Sequence, residues 1–166
     1  MDAQVRQALV AVAGRLDDAE VTFSLGGSGL LWALGLAEEV GDLDVMLPAD
    51  AEATALAALA TGPVDVDRDG TDLWATAWFA TIVVRGVEVD LLGGMALRHP
   101  DGVAHLDHHP HGWVEVDGYA VPYADPAVWW VIYRAYKPGK ALLLEEVVGP
   151  RRRAALRADL GLPHDW

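Results

Sequence analysis

Apolar residues recur at three- and four-residue intervals through positions 2–19. Val5, Leu9, Val12 and Leu16 are separated by Arg and Asp, so the chain is predicted to open with an amphipathic helix. Val21 to Leu25 is a short run rich in strand-forming residues. Gly26, Gly27 and Ser28 follow as a tight turn, and Leu30 to Leu36 predicts a helix that Gly35 or Gly41 stops. From Asp42 to Leu47 acidic and apolar residues alternate with period two, which is the pattern of a strand with one polar face, and Pro48 ends it. Asp50 can cap a helix running through Ala53–Ala60, closed by Gly62-Pro63.

Residues 64–72 are acidic and turn-rich. Trp74 to Val84 and Val87 to Leu92 are apolar runs joined by Arg85-Gly86, a hairpin signal. Residues 98–112, rich in His, Pro, Asp and Gly, predict a loop. Trp113 to Val116 and Tyr119 to Val121 flank Asp117-Gly118, a strong type I′ turn pair. Asp125-Pro126 reads as an N-cap followed by proline at the first helical position, starting a helix through about Tyr136. Lys137-Pro138-Gly139-Lys140 predicts a break, followed by helices over about Leu142–Val148 and Arg151–Leu160. This order predicts an α/β (α+β) fold: a mixed sheet flanked by helices, with the acidic strand central and its carboxylates at one edge of the sheet. The expected organisation is a core over 1–124 and a helical segment over 125–166 packed on it.

The chain has 166 residues, 52% of them hydrophobic, with seven Trp, which supports a real core and argues against disorder. It has no Cys, which excludes disulfides and thiolate metal sites and fits a reducing cytoplasm. No signal-like N-terminus and no apolar run of ~18 residues is evident, so a cytoplasmic location is expected. The Gly/Ala/Val/Asp/Arg-rich composition with only two Lys is the kind found in GC-rich bacterial genomes. The net charge of −13 opposes nucleic-acid docking and favours cations, cationic small molecules included. Arg151, Arg152, Arg153 and Arg157 reverse that balance locally; a solvated helix face is the simpler reading, a phosphate or intersubunit contact the other.

Asp42 and Asp44 lie at i and i+2 on the predicted strand and so share a face. They can supply the hard oxygen ligands that Mg²⁺ requires. A third acid should arrive from a neighbouring strand; Val87–Leu92 offers Glu88 and Asp90, and Asp90 is preferred because it is nearer the strand end and followed by Leu-Leu. Three close carboxylates push one another's pKa upward, and a metal removes that cost. Gly27 and Ser28, at a strand-to-helix junction, offer free amides to a phosphate.

On Leu25-Gly26-Gly27-Ser28, Asp42-Leu43-Asp44 and Asp90 the chain resembles the nucleotidyltransferase superfamily of the DNA polymerase β type. Within it, the chain looks most like the small lincosamide and aminoglycoside antibiotic nucleotidyltransferases, and it also resembles the abortive-infection-type toxins. The likeness covers roughly residues 1–136. It implies a Mg²⁺-dependent transfer of a nucleoside monophosphate, AMP from ATP in the expected case, to a hydroxyl of a small molecule such as an antibiotic. Asp42, Asp44 and Asp90 would be both catalytic and metal-binding with two Mg²⁺ ions; Gly26, Gly27, Ser28 and Lys137 would bind the nucleotide. Relatives often carry a basic residue between the glycine turn and the acidic pair, whereas Gly29–Gly41 has no Lys or Arg and holds Glu38 and Glu39. Neutralising a triphosphate would then fall to the metals, Lys137, Lys140 and Arg134. A non-catalytic binding or regulatory protein of the same fold, or a toxin-type enzyme, are the alternatives. A homodimer that completes the pocket is a further expectation.

His99, His105, His108, His109 and His111, with Asp101 and Asp107, have the ligand types for Zn²⁺ or Ni²⁺. Their spacing is irregular and interrupted by Pro100 and Pro110, so an exposed loop is the preferred reading; a second reading has this loop border the acceptor pocket, where one His assists proton transfer. Trp129, Tyr133 and Tyr136 share a helix face, either as core or as a stacking surface for a nucleobase or an apolar acceptor. Trp32, Trp74 and Trp78 are expected in the core.

Overall fold

A computed structural model describes residues 1–163. The chain begins with helix α1 (Ala3–Asp18), whose buried stripe is the expected Val5, Leu9, Val12 and Leu16 and whose N-cap Asp2 accepts a hydrogen bond from the Val5 amide at 2.9 Å. There follow β1 (Ser24–Leu25), α2 (Gly27–Ala33), β2 (Leu43–Leu47), α3 (Glu52–Leu59), β3 (Trp78–Val84) and β4 (Val87–Gly93). Next come β5 (Ala96–His99), β6 (Gly102–His105), β7 (Gly112–Val116) and β8 (Tyr119–Tyr123), and then α4 (Pro126–Tyr136), α5 (Pro138–Glu145) and α6 (Pro150–Asp159).

The fold is a mixed α/β arrangement. Six strands form one sheet in the order β3-β4-β2-β1-β8-β7, and β5 and β6 form a separate hairpin. β2 pairs in parallel with β4 and antiparallel with β1, so the acidic strand is central as expected. Leu43, Val45, Leu47, Val87, Val89 and Leu91 face one apolar core, shared with α1 and α3. Met46 and Leu92 face a second core, built with Leu30 and Leu31 of α2 and residues of α4, α5 and α6. Helices therefore cover both faces, and the polar positions of β2 and β4 lie on the α4 side. The boundary expected at 124/125 falls between β8 and α4; the last residues of the expected segment, 164–166, lie outside the described residues.

Both hairpins turn as predicted: Arg85-Gly86 and Asp117-Gly118 each have two consecutive positive φ angles, the type I′ geometry that matches strand twist. Four expectations shift. Asp50 does not cap α3, whose N-cap is Ala51. The break at 137–140 is one residue long: Lys137 is pushed out of helical geometry (φ −137, ψ 64) by the ring of Pro138, and α5 starts there. The polar 98–112 segment is only partly loop, because burial of Leu97, Ala104 and Leu106 in the second core outweighs weak strand propensity and forms the β5–β6 hairpin. Strand β3 begins at Trp78, not Trp74. Residues 73–77 instead bond to the 94–98 segment, with the Arg98 amide donating to Leu73 (2.7 Å) and the Ala75 amide to Ala96 (2.9 Å). That detour lifts Trp74 away from the main sheet.

Asp125 caps α4, accepting from the Ala127 amide at 2.8 Å, and its second oxygen accepts from Arg152 of α6 at 2.6 Å. Asp125→Ala should lower the unfolding free energy in urea by about 1–2 kcal/mol through loss of the cap. Asp125→Asn, which keeps an N-cap oxygen, should cost less than ~1 kcal/mol, the scale of an exposed ion pair.

Candidate active site

The site is built on the parallel pairing of β2 and β4. Asp44 and Asp90 are direct register partners, so their side chains leave neighbouring strands on the same face. Asp42 lies just before β2 and is exposed; its Oδ1 is 3.4 Å from the Ser28 hydroxyl. Glu88, the other acid of β4, is exposed two residues farther from the junction with Gly93. Asp90 accepts a hydrogen bond from the Thr81 hydroxyl at 2.6 Å, an orienting contact from β3 that the sequence motif did not reveal but that the β3–β4 register, Thr81 opposite Asp90, could have shown.

The glycine turn closes on the same carboxylate. Gly27 has φ +53, and a Cβ placed on it would sit 1.6 Å from Asp44 Oδ2. Only glycine fits, for conformation and for space. The neighbouring Gly26 amide donates to the Asp44 carbonyl at 2.8 Å, and a Cβ on Gly26 would strike the Trp129 ring. Turn, strand and α4 are thus locked around one acid.

Burial pushes the Asp44 carboxyl up to about 7, with the charges of Asp42 and Asp90 adding and those of Lys137 and Lys140 opposing. Burial also raises Asp90; the Thr81 hydrogen bond and Lys137 oppose it, and Asp42 adds to it. Both lysines reach the acids from the α4–α5 junction. The Lys137 ammonium lies 4.8 Å from the Tyr136 ring centroid and the Lys140 ammonium 5.5 Å from that of Tyr133. Tyr133 is buried, and its hydroxyl has no hydrogen-bond partner among the described residues. The predicted residues Asp42, Asp44, Asp90, Gly26, Gly27, Ser28 and Lys137 therefore converge; Lys140 and Thr81 join them.

Beside Asp44 opens a cavity of about 330 Å³, walled by Trp74, Phe79, Leu92, Met95, Trp129 and Tyr136. Trp78 is buried as expected and Trp32 only partly so, whereas Trp74 lines this cavity and meets Tyr136 edge-on at 5.3 Å; Trp129 is buried and walls the cavity as well. Asp107, His108 and His109 have ligand atoms all within 4.8 Å of one another, and among the described residues this is the trio so closely set. Three of the four arginines of α6 are tied down within the chain: Arg152 bonds Asp125 at 2.6 Å, Arg153 bonds Glu145 at 2.8 Å, and Arg153 and Arg157 lie over the Trp130 ring.

An ionised Asp44 destabilises the folded chain in the absence of a cation. Its folded pKa exceeds the ordinary 3.8, so stability is lost as pH rises from about 4 to about 7 and then levels off. With a chelator present at pH 8, Asp44→Asn should melt above the parent by on the order of 2 kcal/mol, roughly 5 °C for this size, and match it near pH 4. Equal melting at both pH values would remove the strained carboxylate from this picture.

No protein-family model matches the sequence, and no curated protein matches it. Solved structures do. A candidate nucleotidyltransferase from Thermotoga maritima aligns over 93% of this chain and 91% of its own, at 20% identity and TM-score 0.61. The antibiotic-resistance factor ANT(2'')-Ia in solution aligns over 96% and 92%, at 13% identity and TM-score 0.63. ANT(2'')-Ia crystallised with adenylyl-2''-tobramycin aligns over 95% and 97%, at 14% identity and TM-score 0.58. The chain has the nucleotidyltransferase fold.

Proposed function

We propose that this chain is a nucleotidyltransferase that moves a nucleoside monophosphate from a nucleoside triphosphate, ATP in the first instance, to a hydroxyl group of a small molecule, with Mg²⁺ as the cofactor. The observation that carries the reading is the Asp44–Asp90 register pair with Gly27 closed against Asp44. A half-buried acid beside two others has no structural benefit, and the energetic strain is relieved by a divalent cation. The donor set fits Mg²⁺: carboxylates only, with open space beside Asp44 for water and phosphate oxygens. Asp42, Asp44 and Asp90 would hold the metal, which when bound polarises the reacting phosphate and neutralises the leaving group.

The chain's own groups have separable tasks. The amides of Gly27 and Ser28, at the start of α2, receive phosphate oxygens beside Asp44, whose carboxylate occupies the space a Gly27 side chain would need. Lys137 and Lys140 supply the positive charge that Gly29–Gly41 lacks, and they hold the β- and γ-phosphates. Asp90, oriented by Thr81, takes the proton of the acceptor hydroxyl. The hydroxyl oxygen forms the new bond to the α-phosphorus, the bond to pyrophosphate breaks, and the electron pair leaves with pyrophosphate. Basic charge delivered by the α4–α5 junction favours this over a non-catalytic role. The net charge of −13 disfavours an RNA-directed toxin.

Incubation with Mg²⁺, each triphosphate and a panel of hydroxylated acceptors should release pyrophosphate. Asp44→Asn and Asp90→Asn should each lower kcat by at least ~100-fold, in line with loss of metal or base. Lys137→Ala should raise the triphosphate KM about tenfold, the equivalent of ~1.4 kcal/mol. Undiminished turnover in Asp44→Asn would refute the assignment.

A further inference from the structure

The cavity beside Asp44 differs in chemistry from the phosphate-facing side of the site, and its position in the sheet says which substrate it takes. Its floor is the register pair Phe79 and Leu92. Leu92 is two residues along β4 from Asp90, on the same face, and Phe79 is two residues along β3 from Thr81. The cavity is lined by Asp44, and its floor lies one same-face step along β4 from Asp90. The glycine turn follows β1, on the opposite side of β2. Phosphates at Gly27 and a molecule in the cavity would meet at Asp44, with Trp129 lining the cavity and packing on Gly26.

The walls exclude one class of occupant and favour another. Among the described residues no Lys or Arg lines the cavity, so a triphosphate has no counter-charge there. Beyond Asp44 its polar side chains are Asp67, Thr71 and Thr76, with Trp74, Trp129 and Tyr136 each adding one polar atom on an otherwise apolar ring. Trp74 and Tyr136, meeting edge-on at 5.3 Å, leave aromatic surface facing the space. A molecule bearing many ammonium and hydroxyl groups would lose its hydration against these walls and regain few hydrogen bonds. A flat apolar body would instead remove wall and ligand surface from water together, at about 25 cal/mol per Å².

We propose that this cavity is the acceptor site and that the acceptor is a hydroxyl-bearing molecule with a flat, apolar ring system, not a polycationic sugar. This rests on the transfer reading above. The ring system lies between Trp74 and Trp129 over the Phe79–Leu92 floor, and the hydroxyl projects towards Asp90. The three polar groups at Asp67, Thr71 and Thr76 accommodate one amine or hydroxyl on the outer rim.

The test uses the full chain with 2-naphthol as the probe, read by tryptophan fluorescence and calorimetry, with Mg²⁺ and α,β-methylene-ATP added separately. Saturable 2-naphthol binding that persists with the nucleotide analogue bound is the expected result. Trp74→Ala, which opens the wall, and Thr76→Phe, which fills the space, should each weaken 2-naphthol binding about tenfold and leave analogue affinity unchanged; the second variant guards against a folding defect in the first. Three results would overturn the proposal: no saturable 2-naphthol binding, competition between 2-naphthol and the analogue (the base then occupies the cavity), or displacement of 2-naphthol by tighter-binding tobramycin. Binding of 2-naphthol without any Mg²⁺-dependent binding of the analogue would instead remove the transfer reading and leave an apolar ligand site.

Discussion

Parallel pairing of β2 with β4 sets Asp44 beside Asp90, and the rest of the site is arranged around the cost of that juxtaposition. Two carboxylates on adjacent strands, with Asp42 close by, repel one another, and burial sharpens the repulsion at Asp44. The fold tolerates it because the opposite faces of the same strands, Leu43, Val45 and Leu47 against Val87, Val89 and Leu91, are anchored in an apolar core under α1 and α3. One side of the sheet supplies stability, and the other holds charge in place.

The C-terminal helices connect that charge to its surroundings. Trp129 of α4 packs on Gly26 and donates from its indole nitrogen to the Met46 sulfur at 3.2 Å, spanning the glycine turn and β2. One turn beyond the end of the same helix face, Lys137 and Lys140 direct positive charge towards the acids. The position of α4 is fixed in turn by Asp125 at its start and by α6, whose arginines cover Trp130 and bind Asp125 and Glu145. The arginine run thus serves as a brace for the helix that carries the lysines.

The acids and the glycine turn were legible in the sequence because their signals are local. Period-two alternation places Asp44 on a strand face, hairpin geometry at Arg85-Gly86 fixes β3 on β4, and Asp125-Pro126 starts α4. The cavity was not legible, since it depends on a long-range choice by an apolar stretch. Trp74 to Val84 reads as one continuous strand, yet residues 73–77 pair with the 94–98 segment and leave Trp74 facing open space. The β5–β6 hairpin was hidden for the related reason that a polar, His-rich composition says nothing of Leu97 and Ala104 reaching the second core. Lys140 was recognised as a possible source of charge but could not be aimed until the break at Lys137 proved to be a single residue.

Among the described residues there are two candidate sets of metal ligands, the acids at β2 and β4 and the Asp107–His108–His109 trio, and these can be separated directly. Titration with Mn²⁺, followed by electron paramagnetic resonance in the presence of α,β-methylene-ATP, measures which set holds a hard divalent ion. The expected result is tight Mn²⁺ binding that Asp44→Asn abolishes and His108→Ala leaves intact. Binding that survives Asp44→Asn and disappears in His108→Ala would contradict the central role given to the carboxylates.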